Sequence, residues 1–89
     1  MIKTTLTISN KLGLHARASA KLTKLAGSFK RDVFMIRNER RVDAKSIMGV
    51  MMLAAGLGAV VEIEVNGADE QAASDALVGL VNDKFGEGQ

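Results

Sequence analysis

Ile2, Thr4, Leu6 and Ile8 alternate with Lys3, Thr5 and Thr7 at the start of the chain. A period of two rich in β-branched side chains predicts a strand with one buried face. Ser9 to Gly13 is polar and turn-like. From Ala16 the period changes: Ala18, Leu22, Leu25 and Ala26 fall on one helical stripe, and Gly27 is a suitable stop, so a helix is expected over 16–27. Val33 to Ile36, a turn at Asn38-Glu39, and Arg40 to Asp43 read as a hairpin. Ser46 opens an apolar segment, Ile47 to Ala55, expected to be a second short helix ended by Gly56-Leu57-Gly58. Val61, Ile63 and Val65 alternate with Glu62 and Glu64 as another strand, and Asn66-Gly67 turns the chain. Ala73, Ala76, Leu77, Leu80 and Val81 form the stripe of a last helix, with Asp69 and Glu70 in its first turn and a stop near Gly86.

The order is βαββαβα. Strands with one apolar face and helices with one apolar stripe have an economical solution: an α+β, two-layer open-faced sandwich, with a four-stranded antiparallel sheet and three helices on one face. The other sheet face then meets water, as its Lys, Thr and Glu require. At 89 residues the chain has room for one domain, 1–89.

Composition narrows the function classes. Apolar residues are 47% and charged residues 25%, which excludes a disordered chain. No cysteine and a single histidine exclude disulfides, iron–sulfur clusters and the usual zinc sites, so no metal or other cofactor is expected. Tyr and Trp are absent, so bases find little to stack on and nucleic acid is not an expected partner. The longest uncharged apolar run, Ile47 to Val61, is too short to span a bilayer and is interrupted by glycines. Met1 to Ile8 does not read as a signal peptide, so the expected location is the cytoplasm and no membrane insertion is expected. Charge is divided: residues 1–45 carry eleven Lys/Arg and three Asp/Glu, residues 46–89 one and seven. Such a split suits a basic face for an acidic partner, or two surfaces that pair with each other.

The single histidine lies in the run Gly13-Leu14-His15-Ala16-Arg17, at the expected start of the first helix. Free backbone N–H groups and the positive end of the helix dipole disfavour the imidazolium there and would receive an anion carried by the ring. Arg17 can reach the same anion. Neutral ring nitrogen, free amides and arginine together suit a transient phosphohistidine; the plainer reading is a capping histidine beside a solvated arginine. No second carboxylate is evident beside His15. Ser46 reads as an N-cap and as a candidate phosphorylation site. The second helix is apolar nearly all round, so part of it must be exposed, with Ile47, Met48 and Met51 as the candidates. Arg40-Arg41 reads as a solvated strand edge.

The two runs Gly13-Leu14-His15-Ala16-Arg17 and Lys45-Ser46-Ile47-Met48-Gly49, with this spacing and element order, resemble the HPr family of histidine-containing phosphocarriers of the bacterial phosphoenolpyruvate-dependent phosphotransferase system. The resemblance covers the whole length. It implies a phosphoryl group taken on Nδ1 of His15 from phosphorylated enzyme I and passed to a histidine of a IIA protein or domain, with Arg17 steadying it. It implies modification of Ser46 by HPr kinase/phosphorylase in bacteria that have that regulator. It implies a docking face that includes Ala20, Lys24, Gly27, Ile47, Met48, Gly49 and Met51. Such a protein is a phosphoryl carrier rather than a turnover enzyme, and a monomer suffices. Many family members have proline after the arginine; here it is Ala18, which restores an N–H in the first turn. A further reading within the resemblance is a regulatory module of a nitrogen-related phosphotransferase chain acting mainly through partner binding.

Overall fold

A computed structural model describes residues 1–29, 32–67 and 69–87. Strands β1 (Ile2–Thr7), β2 (Asp32–Arg37), β3 (Arg40–Asp43) and β4 (Val60–Asn66) form one sheet, and the helices are α1 (Ala16–Gly27), α2 (Ile47–Met52) and α3 (Glu70–Asn82). The strand order is β1-β4-β2-β3 and every pairing is antiparallel. The expected βαββαβα architecture is therefore the observed one.

Register explains which face is buried. Leu6 lies opposite Val61, Ile63 opposite both Thr4 and Met35, and Val65 opposite both Ile2 and Val33. These positions share one face, because successive side chains alternate across a strand. Leu6, Val33, Met35, Val61, Ile63 and Val65 join Ala18, Leu22 and Ala26 of α1 and Ala73, Leu77 and Val81 of α3 in one core. The α1 stripe read from the periodicity is the buried one, except that Leu25 is only partly covered.

The opposite face holds one nearly buried carboxylate. Glu64 lies under Arg41, whose guanidinium donates to Oε2 at 2.7 Å and stacks 3.5 Å from the centre of the Phe34 ring. Asn66 donates to the same oxygen at 3.1 Å, and Lys3 stands 3.8 Å away. Arg41 lies exposed on the edge strand β3, as expected, and makes these contacts from there. The Lys3–Glu64, Arg41–Glu64 and His15–Glu87 pairs each join the basic half of the chain to the acidic half.

The Arg41 hydrogen bond, then that of Asn66, hold the Glu64 carboxyl below its ordinary pKa against the opposing effect of burial. A depressed carboxylate pKa adds stability at neutral pH that is lost as pH falls from the ordinary value through the lowered one. The urea midpoint of the wild type should therefore fall more steeply than that of Glu64→Gln across that acidic interval. Parallel curves would show that the cluster contributes no linked stability.

Two helix ends differ from expectation. The second helix stops at Met52 rather than Ala55. Arg40 donates to the carbonyl of Met52 at 3.1 Å, and Arg37 to those of Leu53 and Ala54 at 2.8 and 3.3 Å. Ala54 takes a positive φ of 51°, and the Ala55 carbonyl accepts from the amide of Leu14 at 2.8 Å. The hairpin arginines and the loop before α1 thus take carbonyls at the end of α2 and in the segment after it, Arg40 doing so from its exposed place on the edge strand. The last helix stops at Asn82, not near Gly86. Lys84 and Phe85 adopt left-handed φ values of 54° and 55°, and a single tight turn, Lys84–Gly86, follows. That reversal puts the Phe85 ring into the core at 1% exposure.

Candidate functional site

The Gly13-to-Arg17 run lies on the rim where the β1–α1 loop meets the segment after α2. Gly13 has φ +65° and lies so close to Ala55 and Gly56 that a Cβ would stand 2.5 Å from the Ala55 carbonyl oxygen. Only glycine combines that backbone conformation with that approach. The Leu14 amide then reaches Ala55, and Leu14 itself is buried. These contacts fix the backbone immediately before His15.

His15 is the N-cap of α1, with φ −74° and ψ 179°, as its position before the helix suggested. Its carbonyl accepts the first intrahelical bond, from Ser19 N–H at 2.8 Å. Its Nδ1 accepts from the amide of Arg17 at 3.3 Å. A nitrogen facing an N–H donor presents its lone pair, so the ring proton is assigned to Nε2. That nitrogen stands 2.6 Å from Oε2 of Glu87. The other oxygen, Oε1, accepts from Asn10 Nδ2 at 3.1 Å, and the same Nδ2 donates to the carbonyl of Gly13 at 2.8 Å.

A carboxylate therefore does lie beside His15, contrary to expectation. It comes from a residue 72 positions away, beyond the reach of local pattern. Burial alone would raise its pKa, but hydrogen bonds from Asn10 and His15 and the nearby charge of Lys21 outweigh it, and Glu87 is held below the ordinary value. Lys21 donates to the Phe85 carbonyl at 2.6 Å, so the turn bearing Glu87 is tied to α1 as well as anchored in the core. The available signal was Phe85, an apolar residue beyond the last helical stripe, which returns the chain to the core two positions before Glu87.

An open cleft over the ring is lined by Lys11, Leu12, His15, Ala16, Arg17 and Glu87. Arg17 is exposed there, and the His15 side chain is 27% exposed. Lys11 and Leu12, read as plain turn residues, are the additional lining groups. Ser46 caps α2: its Oγ accepts from the amide of Gly49 at 3.1 Å. Ala20, Lys24 and Gly27 are exposed on α1, and Ile47, Met48 and Met51 are exposed on α2, Met48 at 71%; Gly49 is half-buried. Met52 and Leu57 are exposed too and were not among the expected residues. Val50 and Leu53 supply the buried stripe. Among the described residues no cluster of three or more His, Cys, Asp or Glu could hold a metal ion, and no helix is long and apolar enough to cross a membrane.

Residues 2–83 match the family model described as the PTS HPr component phosphorylation site. The phosphocarrier protein HPr of Cupriavidus necator is 64% identical over 89 residues, covering all of both chains. The phosphocarrier protein HPr of Neisseria meningitidis serogroup A is 55% identical over 89 residues, again covering both chains fully. The crystal structure of HPr-C-His from Thermoanaerobacter tengcongensis superposes with a TM-score of 0.94 at 42% identity, over 98% of each chain.

Proposed function

Because the chain belongs to the HPr family of phosphocarrier proteins, we propose that it accepts a phosphoryl group on Nδ1 of His15 from phosphorylated enzyme I and passes it to a histidine of a IIA protein or domain. The observation that carries this reading is the placement of one ring nitrogen. Nδ1 lies with its lone pair toward the first turn of α1, at the rim of an open cleft. The amides of Ala16, Arg17 and Ala18 precede the first intrahelical donor, Ser19, and are the donors a phosphoryl oxygen would meet.

Phosphoryl transfer asks a protein for in-line placement and charge stabilisation more than for covalent machinery. The Arg17 guanidinium, exposed in the same cleft, supplies the countercharge. The group must also leave again. A ring at an exposed helix end, with few strong ligands, holds the phosphoryl group without trapping it, and lets donor and acceptor proteins reach it in turn.

The exposed apolar side chains of α2, with Ala20, Lys24 and Gly27 on α1, are the proposed docking face for both. Methionines there suit a surface that must fit more than one partner. Phosphorylation of Ser46 by an HPr kinase/phosphorylase would add charge within that face. The hydroxyl already accepts a helix amide, so a phosphate there keeps acceptors for the same donors.

The test is intact mass after incubation with phosphoenolpyruvate, magnesium and enzyme I, and separately with ATP and the kinase. The first arm should add one phosphate of about 80 Da that is acid-labile and stable to base, and the second an acid-stable phosphate on Ser46. A folded protein left unlabelled by a competent enzyme I would overturn the carrier reading. No label in the second arm would remove Ser46 regulation alone.

A further inference from the structure

The docking face proposed above stands on a helix too short to hold its own shape. Helix α2 has six residues, under two turns, and a helix of that length is not stable alone. Its buried side chain is Val50, while Met48, Met51 and Met52 are exposed, so the core grips little of it. The carbonyls at its C-terminal end show what else holds it. Those of Val50 and Met51 accept from the amides of Leu53 and Ala54 at 3.2 and 3.1 Å, the tightened last turn of a helix. The next three turn to the β2–β3 hairpin: Met52 accepts from Nη1 of Arg40, and Leu53 and Ala54 accept from Nη1 of Arg37. The Ala55 carbonyl then goes to the amide of Leu14, on the loop that carries His15. Successive carbonyls from Met52 to Ala55 are thus shared between the hairpin and the loop of the phosphoryl site. Two cations at the end of a helix also suit its dipole.

We propose that Arg37 and Arg40 are positioning residues for partner docking: from the hairpin they fix the C-terminal end of α2, and so set where the Met48, Met51 and Met52 side chains stand relative to His15. The inference rests on the docking face proposed above. Neither arginine lines the cleft over His15, so once a partner is seated the transfer itself does not need them. They act earlier, by keeping the apolar face and the reacting nitrogen at one spacing. Arginine suits this task better than lysine. Its planar guanidinium serves the adjacent carbonyls of Leu53 and Ala54 from one nitrogen, at the left-handed turn that Ala54 makes with φ 51°. Donor and acceptor proteins meet the same face, so both should bind less tightly when the arginines are removed.

Two readouts separate positioning from simple stability. The first is KM and kcat for this protein in labelling by enzyme I and in transfer to a IIA protein. The second is the methyl NMR shifts of Met48, Met51 and Met52 without any partner. The variants are Arg37→Gln, Arg40→Gln and the double substitution. The double variant should raise KM about fivefold with both partners while kcat stays within about twofold, because binding is lost and the reacting groups are untouched. The three methyl shifts should move. Arg37→Lys keeps the charge without the planar fork and should recover only part of the KM. Arg41→Gln removes the same charge from the same strand as Arg40, but from a side chain bonded to Glu64 rather than to α2, and should leave KM at the wild-type value. Unmoved methyl shifts, an unchanged KM, a fall confined to kcat, or a KM rise in Arg41→Gln as large as that in Arg40→Gln would each overturn the proposal. Should the double variant unfold, the single ones still decide, since Arg40 is exposed on an edge strand. Met48→Ala trims the face itself. An unchanged KM there defeats the docking-face reading, whereas a raised KM there with a wild-type KM in the arginine variants defeats this proposal alone.

Discussion

His15→Ala is expected to take no phosphate from enzyme I while remaining folded. The chain has one histidine, so no second imidazole can stand in. The structural cost is small. Alanine removes the acceptor for the Arg17 amide, a lost N-cap worth about 1 kcal/mol. Glu87 keeps its hydrogen bond from Asn10 and is still partly open to water. The backbone before His15 stays pinned by Leu14 on Ala55. Intact mass should show no acid-labile adduct, while the melting temperature falls by only about 4–8 °C. An acid-labile phosphate that survives the substitution would place the chemistry on another residue and sink the reading.

Gly13→Ala should do the opposite, damaging the fold before the chemistry. The φ of +65° alone costs an L side chain about 1–2 kcal/mol. The added Cβ would also stand 2.5 Å from the Ala55 carbonyl oxygen and 2.6 Å from Gly56 Cα, both backbone atoms that cannot rotate away. Either the loop or the segment after α2 must shift, and the Leu14–Ala55 hydrogen bond shifts with them. We expect a loss of about 3 kcal/mol in urea unfolding. The phosphoryl site should lose activity too, because His15 follows two residues later on the displaced chain. A midpoint equal to that of the wild type would mean that the close approach is relieved without cost.

Much of the fold was legible because most of its signals are local. The alternation Ile2-Thr4-Leu6 and Val61-Ile63-Val65 identified two strands and their buried faces, and the antiparallel register places those faces together. The stripe Ala18-Leu22-Ala26 identified α1 for the same reason, since helix period and burial agree there. The cap role of His15 was legible from its place before that stripe. What escaped was set by distant partners. The end of α2 depends on Arg37 and Arg40, which look like ordinary hairpin cations until the hairpin is laid against that helix. Asn10 looked like a turn residue, yet it is fully buried. Glu87 is signalled only through Phe85, the apolar residue two positions before it, because no other residue of the site lies near it in sequence. The Lys84-Phe85 reversal that delivers it breaks the helical period instead of extending it.

The strand order has a consequence for how this protein is made. Among the described residues β1 pairs with no strand of the first half of the chain; its ladder is with β4, residues 60–66. During synthesis the first strand must wait for this ladder until more than two-thirds of these 89 residues have been made. Only the β2–β3 hairpin and the turns of α1 can form early, from contacts close in sequence. His15 waits longer still, since its carboxylate partner is made 72 residues later. A nascent chain stopped short of that turn would present the histidine without the carboxylate that faces its ring. The His15–Glu87 contact can thus form only after every strand of the sheet has been made.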